Sequence, residues 1–231
     1  MRRETFPDPI DYDSPKWVEI RGFRYRLDGV VSLGTPLTIE NVREAYSKGI
    51  FPWYTPEIPL PWHSPDPRAI LIFNEITIPR SLAKVRRQGK FTFTIDRDFR
   101  SVIEACSEAD RPDQPGTWIT REFIDVFVEA HEAGFAHSVE AWNARGELVG
   151  GLYGVDAGGV FCGESMFYRE TNASKLALLF LIDHLRERGA TWLDIQVMTP
   201  HLAALGAREI PRRQFLAHLH TAQTTGLKLF E

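Results

Sequence analysis

Apolar residues first recur at helical spacing at Ile39, Val42, Ala45 and Tyr46, with Thr38 before them as an N-cap and Gly49 after them as a stop. The spacing predicts a helix over 38–49. Residues 1–35 mix Pro, Asp and Arg with short alternating pieces such as Phe23 to Val31, so irregular strands behind a mobile extreme N-terminus are expected. The next stretch, GIFPWYTPEIPLPWHSPDPR (49–68), holds six prolines in twenty residues and reads as an aromatic, stiff connector with no regular element. It marks a boundary between two lobes, 1–67 and 68–231.

Past Arg68 the pattern becomes β, α, β. Ala69 to Phe73 is an apolar run, SLAKVRRQG is a short basic helix, and FTFTI puts Phe91, Phe93 and Ile95 on one face. Helices are predicted over 97–108 and 121–133, joined by the Pro/Gly loop RPDQPGTW. Residues 136–142, 147–155 and 159–167 alternate as a meander, and the turns NARG and DAGG supply the glycines that tight hairpins need. An apolar helix over 174–188 follows, then the strand TWLDIQV, a short helix capped by Thr199 with Pro200 at its first position, a strand at 208–210 and a helix through 215–220. This order predicts an α+β fold: a small N-terminal domain and a C-terminal acetyltransferase-like (GNAT-like) domain with a central mixed sheet that splays open.

Composition narrows the chemistry. The 231 residues are 43% hydrophobic and 25% charged, enough to bury a core. A net charge of −4 gives no global attraction to nucleic acid, so any polyanion contact must come from a local patch. Cys106 and Cys162 cannot build a disulfide framework or a cysteine zinc site, and the seven His show no HExxH pattern. No apolar run of about 18 residues predicts a membrane span, and no h-region follows the first residues. There is no Walker loop, GxGxxG or GxSxG either. A cytoplasmic protein without metal or cofactor is the expectation, and if it is an enzyme its substrate arrives already activated.

Four features could carry chemistry. Glu164 lies in the apolar strand VFCGESMF, where an ionised carboxylate needs a cation or hydrogen-bond donors; its partner is either a core Arg or a substrate. Strict alternation of WLDIQV places Trp192, Asp194 and Gln196 on one face with Leu193, Ile195 and Val197 behind, and Asp194 could instead cap the following helix. Trp53, Trp62 and Trp118 fall in Pro/Gly-rich loops, where each either stacks on a ligand or anchors its loop. Arg80, Lys84, Arg86, Arg87 and Lys90 form a basic cluster in which Arg80, Lys84 and Arg87 share a helical face, suited to phosphates or simply solvated.

Several strings in one order then stand out: GIFPWY, HSPDPR, GTWITR, GGLYGV, FCGESMF, NASK, LDIQV and LGAREIPRRQF. From about residue 28 onward the chain resembles the leucyl/phenylalanyl-tRNA:protein transferases. The resemblance implies transfer of Leu or Phe from aminoacyl-tRNA to the α-amine of proteins beginning with Arg or Lys, marking them for N-degron degradation by a monomeric enzyme. It implies that Gln196 contacts the attacking amine with Asp194 orienting or polarising its amide, and that Glu164 holds the donor's α-ammonium or, as a second choice, the acceptor's basic side chain. It further implies a donor pocket of Leu152, Phe161, Met166 and Leu193, stacking of the terminal adenosine on Trp53 and Trp118, and acceptor-stem contacts from Arg80, Lys84, Arg86 and Arg87.

Phe161 and Met166 have opposite parity, so lining one pocket requires a bulge or bend at Gly163. The chain departs from the family at His63, where a second Trp is expected, and at MTPHLAALGA, which replaces a more polar segment. Two other readings compete: an acetyl-CoA-dependent N-acetyltransferase, whose [RQ]xxGx[GA] loop has only RERGAT as its nearest match, and a non-catalytic module that binds tRNA ends or basic N-termini.

Overall fold

Residues 5–12, 17–20, 22–56, 58–109 and 117–230 are described by the structure, a computed structural model. The mobility expected of residues 1–4 and the loop expected over 111–116 lie outside the described residues. Before Arg68, β1 (Trp17–Ile20) and β2 (Phe23–Arg26) pair as a two-stranded antiparallel sheet. Next come β3 (Val30–Leu33), α1 (Ile39–Ser47), β4 (Phe51–Pro52) and β5 (Pro61–His63). Thr38 caps α1 by accepting the Asn41 N–H, and Gly49 ends it at φ +70°. The Pro-rich stretch is not wholly irregular as expected: it supplies β4 and β5, which complete a three-stranded sheet in the order β3-β5-β4. Both strands are so short that their prolines remove few ladder hydrogen bonds.

A seven-stranded sheet begins at β6 (Arg68–Ile72). Along the chain follow α2 (Arg80–Arg87), β7 (Thr92–Ile95), α3 (Phe99–Glu108), α4 (Arg121–Glu132), β8 (Ala136–Trp142), β9 (Leu148–Asp156), β10 (Phe161–Tyr168), α5 (Ala173–Glu187), β11 (Trp192–Gln196), α6 (Pro200–Ala203), β12 (Arg208–Ile210) and α7 (Arg212–Thr225). The expected elements are present, with α7 starting before the predicted 215. Strand order is β12-β6-β11-β10-β9-β8-β7, and the sheet is mixed: β10 and β11 run parallel while every other pair is antiparallel.

Alternation along the strands feeds a core on each face. Ile70, Tyr153, Cys162 and Trp192 join α1, α3, α4 and α7 on one side, while Leu71, Leu152, Phe161 and Leu193 join α2, α5 and α6 on the other. At the centre, β10 and β11 register only at Cys162 and Asp194. They part beyond that pair, which is the splay expected of an acetyltransferase-like sheet, and the site lies where they part.

Candidate active site

Glu164 owes its position to a bulge. Gly163 pairs with Gly154 and Ser165 with Tyr153, so Glu164 is the extra residue between them and the register shifts around it. Parity is reversed past this point, and Phe161 and Met166 both line one cavity of about 290 Å³. The bend expected at Gly163 is present.

A second bulge was not expected. On β11, Asp194 pairs with Ile70 and Gln196 with the adjacent Ala69, which leaves Ile195 as the extra residue. The face shared by Trp192, Asp194 and Gln196 is therefore corrected: Gln196 joins Leu193, Ile195 and Val197 in lining the cavity, while Asp194 does not line it. The Val197 N–H donates to the Ile195 carbonyl at 2.6 Å, closing a three-residue turn around Gln196, whose φ is +61°. A γ-turn with positive φ is rare and costs of order 1–3 kcal/mol for a side-chain-bearing residue.

Arg68 holds that turn. Asp194 is fully buried and Arg68 nearly so; Arg68 Nε donates to Asp194 Oδ1 at 2.9 Å and Nη2 to Oδ2 at 2.6 Å. A third donor, Nη1, reaches the Gly49 carbonyl at 3.2 Å, and the guanidinium lies over the rings of Phe51 and Phe215. Asp194 Oδ1 also accepts the Gln196 backbone N–H at 2.9 Å. Asp194 thus orients Gln196 through its main chain and not, as expected, through its side-chain amide. Nor does it cap α6.

The Gln196 side chain is oriented by Glu164 instead. Nε2 donates to Glu164 Oε1. Only the NH₂ end of an amide can face a carboxylate, so the Gln196 oxygen is directed away from Glu164. That oxygen makes no hydrogen bond among the described residues and belongs to a side chain lining the cavity.

Glu164 Oε2 and the Tyr46 hydroxyl are both sealed from solvent; they meet no partner at strict hydrogen-bond geometry, yet Tyr46 is near enough to Glu164 for its hydroxyl to favour the ionised carboxylate. Burial pushes the Glu164 carboxyl up to about 7; Tyr46 and Gln196 pull it down, Asp194 pushes it up, and Arg68 pulls it down. Burial, followed by the charge of Glu164, pushes the Tyr46 phenol well up. The core Arg that could have paired with Glu164 is committed to Asp194, and no cation among the described residues meets Glu164.

Leu152, Phe161, Met166 and Leu193 line the cavity, as do Trp53 and Trp118, whose rings stand 6.4 Å apart and tilted by 55°. Trp62 is buried in the three-stranded sheet, its Nε1 donating to the Thr35 carbonyl at 2.9 Å, and is an anchor. The two departures from the family pattern reach the same region. His63 stacks on Phe51 and meets Trp53 edge-on; burial, then Arg68, lowers its pKa to about 4 and leaves it neutral. Thr199, His201 and Leu202 line the cavity, with His201 Nε2 at 3.2 Å from Met166 Sδ.

The basic stripe on α2 is exposed and contributes nothing to the cavity wall. Arg86 is paired with Asp183 of α5, whereas Arg80, Lys84 and Arg87 make no ion pair among the described residues. Arg68 and Tyr46 escaped the sequence reading as site residues. Arg68 closes the HSPDPR string, which was the available signal; Tyr46 reads as one more apolar position of α1.

Comparison with known proteins bears on the whole chain. Residues 70–220 match the family model described as leucyl/phenylalanyl-tRNA protein transferase, and residues 35–66 match that of its N-terminal domain. A protein of Syntrophus aciditrophicus named leucyl/phenylalanyl-tRNA--protein transferase is 51% identical over 82% of this chain and 79% of its own. One of the same name from Anaeromyxobacter sp. (strain K) is 47% identical over 96% and 89%, and one from Pseudoalteromonas translucida 46% identical over 85% and 82%. The solved structure of L-PGS from Bacillus licheniformis overlaps 58% of this chain and 47% of its own at a TM-score of 0.41 and 17% identity, too slight a likeness to bear on function.

Proposed function

The chain belongs to the leucyl/phenylalanyl-tRNA protein transferase family and is an aminoacyltransferase that moves an amino acid from aminoacyl-tRNA to a protein; from this premise we propose how its own residues perform the transfer. The ester bond to the terminal ribose is already activated, so attack by an amine is downhill without ATP. The bond from the carbonyl carbon to the ribose oxygen breaks, a peptide bond forms, and the amine's proton is released as the ribose oxygen gains one. The protein's work is positioning and charge stabilisation.

The observation that carries the reading is the Gln196 amide, locked by Glu164 at one end with its oxygen unclaimed, in a wall of the apolar cavity. An amide oxygen accepts an N–H and is no base at neutral pH, so Gln196 aligns the attacking amine. Asp194, clamped by Arg68, keeps Gln196 in its turn. Glu164, which lines the cavity beside Gln196, supplies the negative charge for the donor's α-ammonium.

Leu152, Phe161, Met166 and Leu193 receive the donor side chain, Leu or Phe, because a Met-lined wall adapts to both shapes and offers polar side chains no partner. Trp53 and Trp118 form the platform for the terminal adenosine. Arg80, Lys84 and Arg87 meet the tRNA backbone, with Arg86 contributing less because it is already paired. The acceptor is a protein whose first residue is Arg or Lys, and the product is marked for degradation as an N-degron.

The reading carries with it a monomer acting in the cytoplasm, where aminoacyl-tRNA is made. No helix among the described residues is long and apolar enough to cross a membrane. It also takes 1–67 and 68–231 as two domains, supported by the change of sheet at Arg68. The test uses labelled Leu-tRNA or Phe-tRNA and a protein beginning with Arg or Lys, without ATP or acetyl-CoA. Label is expected on the protein's α-amine; label remaining wholly on tRNA overturns the reading, and a requirement for acetyl-CoA would favour an acetyltransferase.

A further inference from the structure

After α7 the chain turns at Gly226, φ +65°, and runs through Leu227, Lys228, Leu229 and Phe230. Leu229 is completely buried, and its carbonyl accepts from His184 Nε2 of α5 at 2.9 Å, which fixes the proton on that nitrogen. The anchor presents the Phe230 ring to two histidines. It stacks on His137 at 3.9 Å and 10°, and on His184 at 5.4 Å and 29°. His137 is itself held by Asp96, 2.7 Å from Nδ1. On a third side, 5.6 Å away and tilted by 51°, is Phe161.

Phe161 lines the cavity on one side and is backed on the others. It lies against the bare backbone of Gly154, where an added Cβ would stand 2.5 Å from Cζ and 2.7 Å from Cε1. The ring is thus held between β9 and Phe230. Interiors close-packed in this way transmit a void to the neighbouring side chain.

We propose that Phe230 is a specificity-determining residue: by backing Phe161 it fixes the depth of the amino-acid pocket and with it the balance between Leu and Phe donors. The proposal rests on the reading that this cavity takes the donor side chain. With Phe230 in place the wall is rigid. Without it the Phe161 ring swings outward, the pocket deepens, and a Phe side chain gains contacts that the shorter Leu cannot reach.

The experiment compares kcat/KM for Phe-tRNA and Leu-tRNA, measured on one preparation so that loss of folded protein cancels in the ratio. Phe230→Ala and the milder Phe230→Leu are tested beside Phe161→Leu, which enlarges the cavity directly. One methylene in an apolar pocket is worth about tenfold or more, so Phe161→Leu is expected to raise the Phe-to-Leu ratio by about tenfold and Phe230→Ala by at least about threefold. Phe230→Leu should fall between Phe230→Ala and the unaltered protein. If Phe161→Leu shifts the ratio while both Phe230 variants leave it unchanged, the proposal is overturned and the pocket reading stands. If none of the three shifts it, the pocket reading falls and the proposal with it.

Discussion

Removing Arg68 is the most direct way to test the clamp beneath the turn at Gln196. In Arg68→Met the volume is roughly kept, but Asp194 loses both guanidinium bonds, at 2.9 and 2.6 Å, and remains fully buried with no counter-charge. Breaking a buried pair from one side costs about 3–5 kcal/mol, and loss of the bond to the Gly49 carbonyl and of the two ring contacts places this site at the upper end. Against a total stability of about 5–15 kcal/mol this is a large fraction. Urea unfolding followed by tryptophan fluorescence should show a lower midpoint at unchanged slope. Adding Asp194→Asn should recover about 2 kcal/mol, because the orphaned charge is the main cost. A loss under about 1 kcal/mol, or no recovery in the double variant, would refute the argument that this ion pair carries the turn.

Other expectations follow from the same site. The Glu164 carboxyl, raised by burial from 4.5 to about 7, holds its proton more tightly in the folded than in the unfolded state. Its contribution is fully present below about 4.5 and is lost as pH rises to about 7, a fall of about 3 kcal/mol that denaturation across this range would detect and Glu164→Gln should abolish. Donor binding runs the opposite way, since an ammonium prefers the ionised carboxylate: KM for aminoacyl-tRNA should decrease as pH rises through 7, and a flat profile would exclude Glu164 from that contact. Gln196→Gly should relieve the positive φ but also remove the donor to Glu164, so thermal melts should move by no more than about 1–2 kcal/mol while kcat collapses and tRNA affinity holds; equal loss of kcat and affinity would remove the alignment role. Reversing Lys84 and Arg87 to Glu should weaken tRNA binding and flatten its dependence on salt by about one slope unit per lost contact, and an unchanged slope would make the stripe merely solvated.

The element order and the bulge at Glu164 were legible because each left a local mark: hydrophobic periodicity in the first case, and a glycine between two pocket residues of opposite parity in the second. The bulge in β11 left none. It falls at Ile195, a good strand residue, and is imposed by Arg68 and Asp194, which are 126 positions apart. Alternation therefore put Gln196 on the wrong face. The partner of Glu164 was open for the same reason: a core Arg exists, but only tertiary structure reveals that it pairs with the other acid. Tyr46 is written in the sequence as helix stripe and becomes a site residue only because α1 packs under the bulge.

Arg68 joins parts of the chain that are synthesised far apart. Its carbonyl acceptor, Gly49, precedes it by 19 positions, while its carboxylate, Asp194, follows by 126 and one ring beneath it, Phe215, comes later still. A ribosome must release the chain beyond Phe215 before the turn at Gln196 can close on its full clamp. A chain cut between β12 and Phe215 holds every strand of the sheet yet lacks part of the clamp, so transferase turnover is itself a readout of completed assembly.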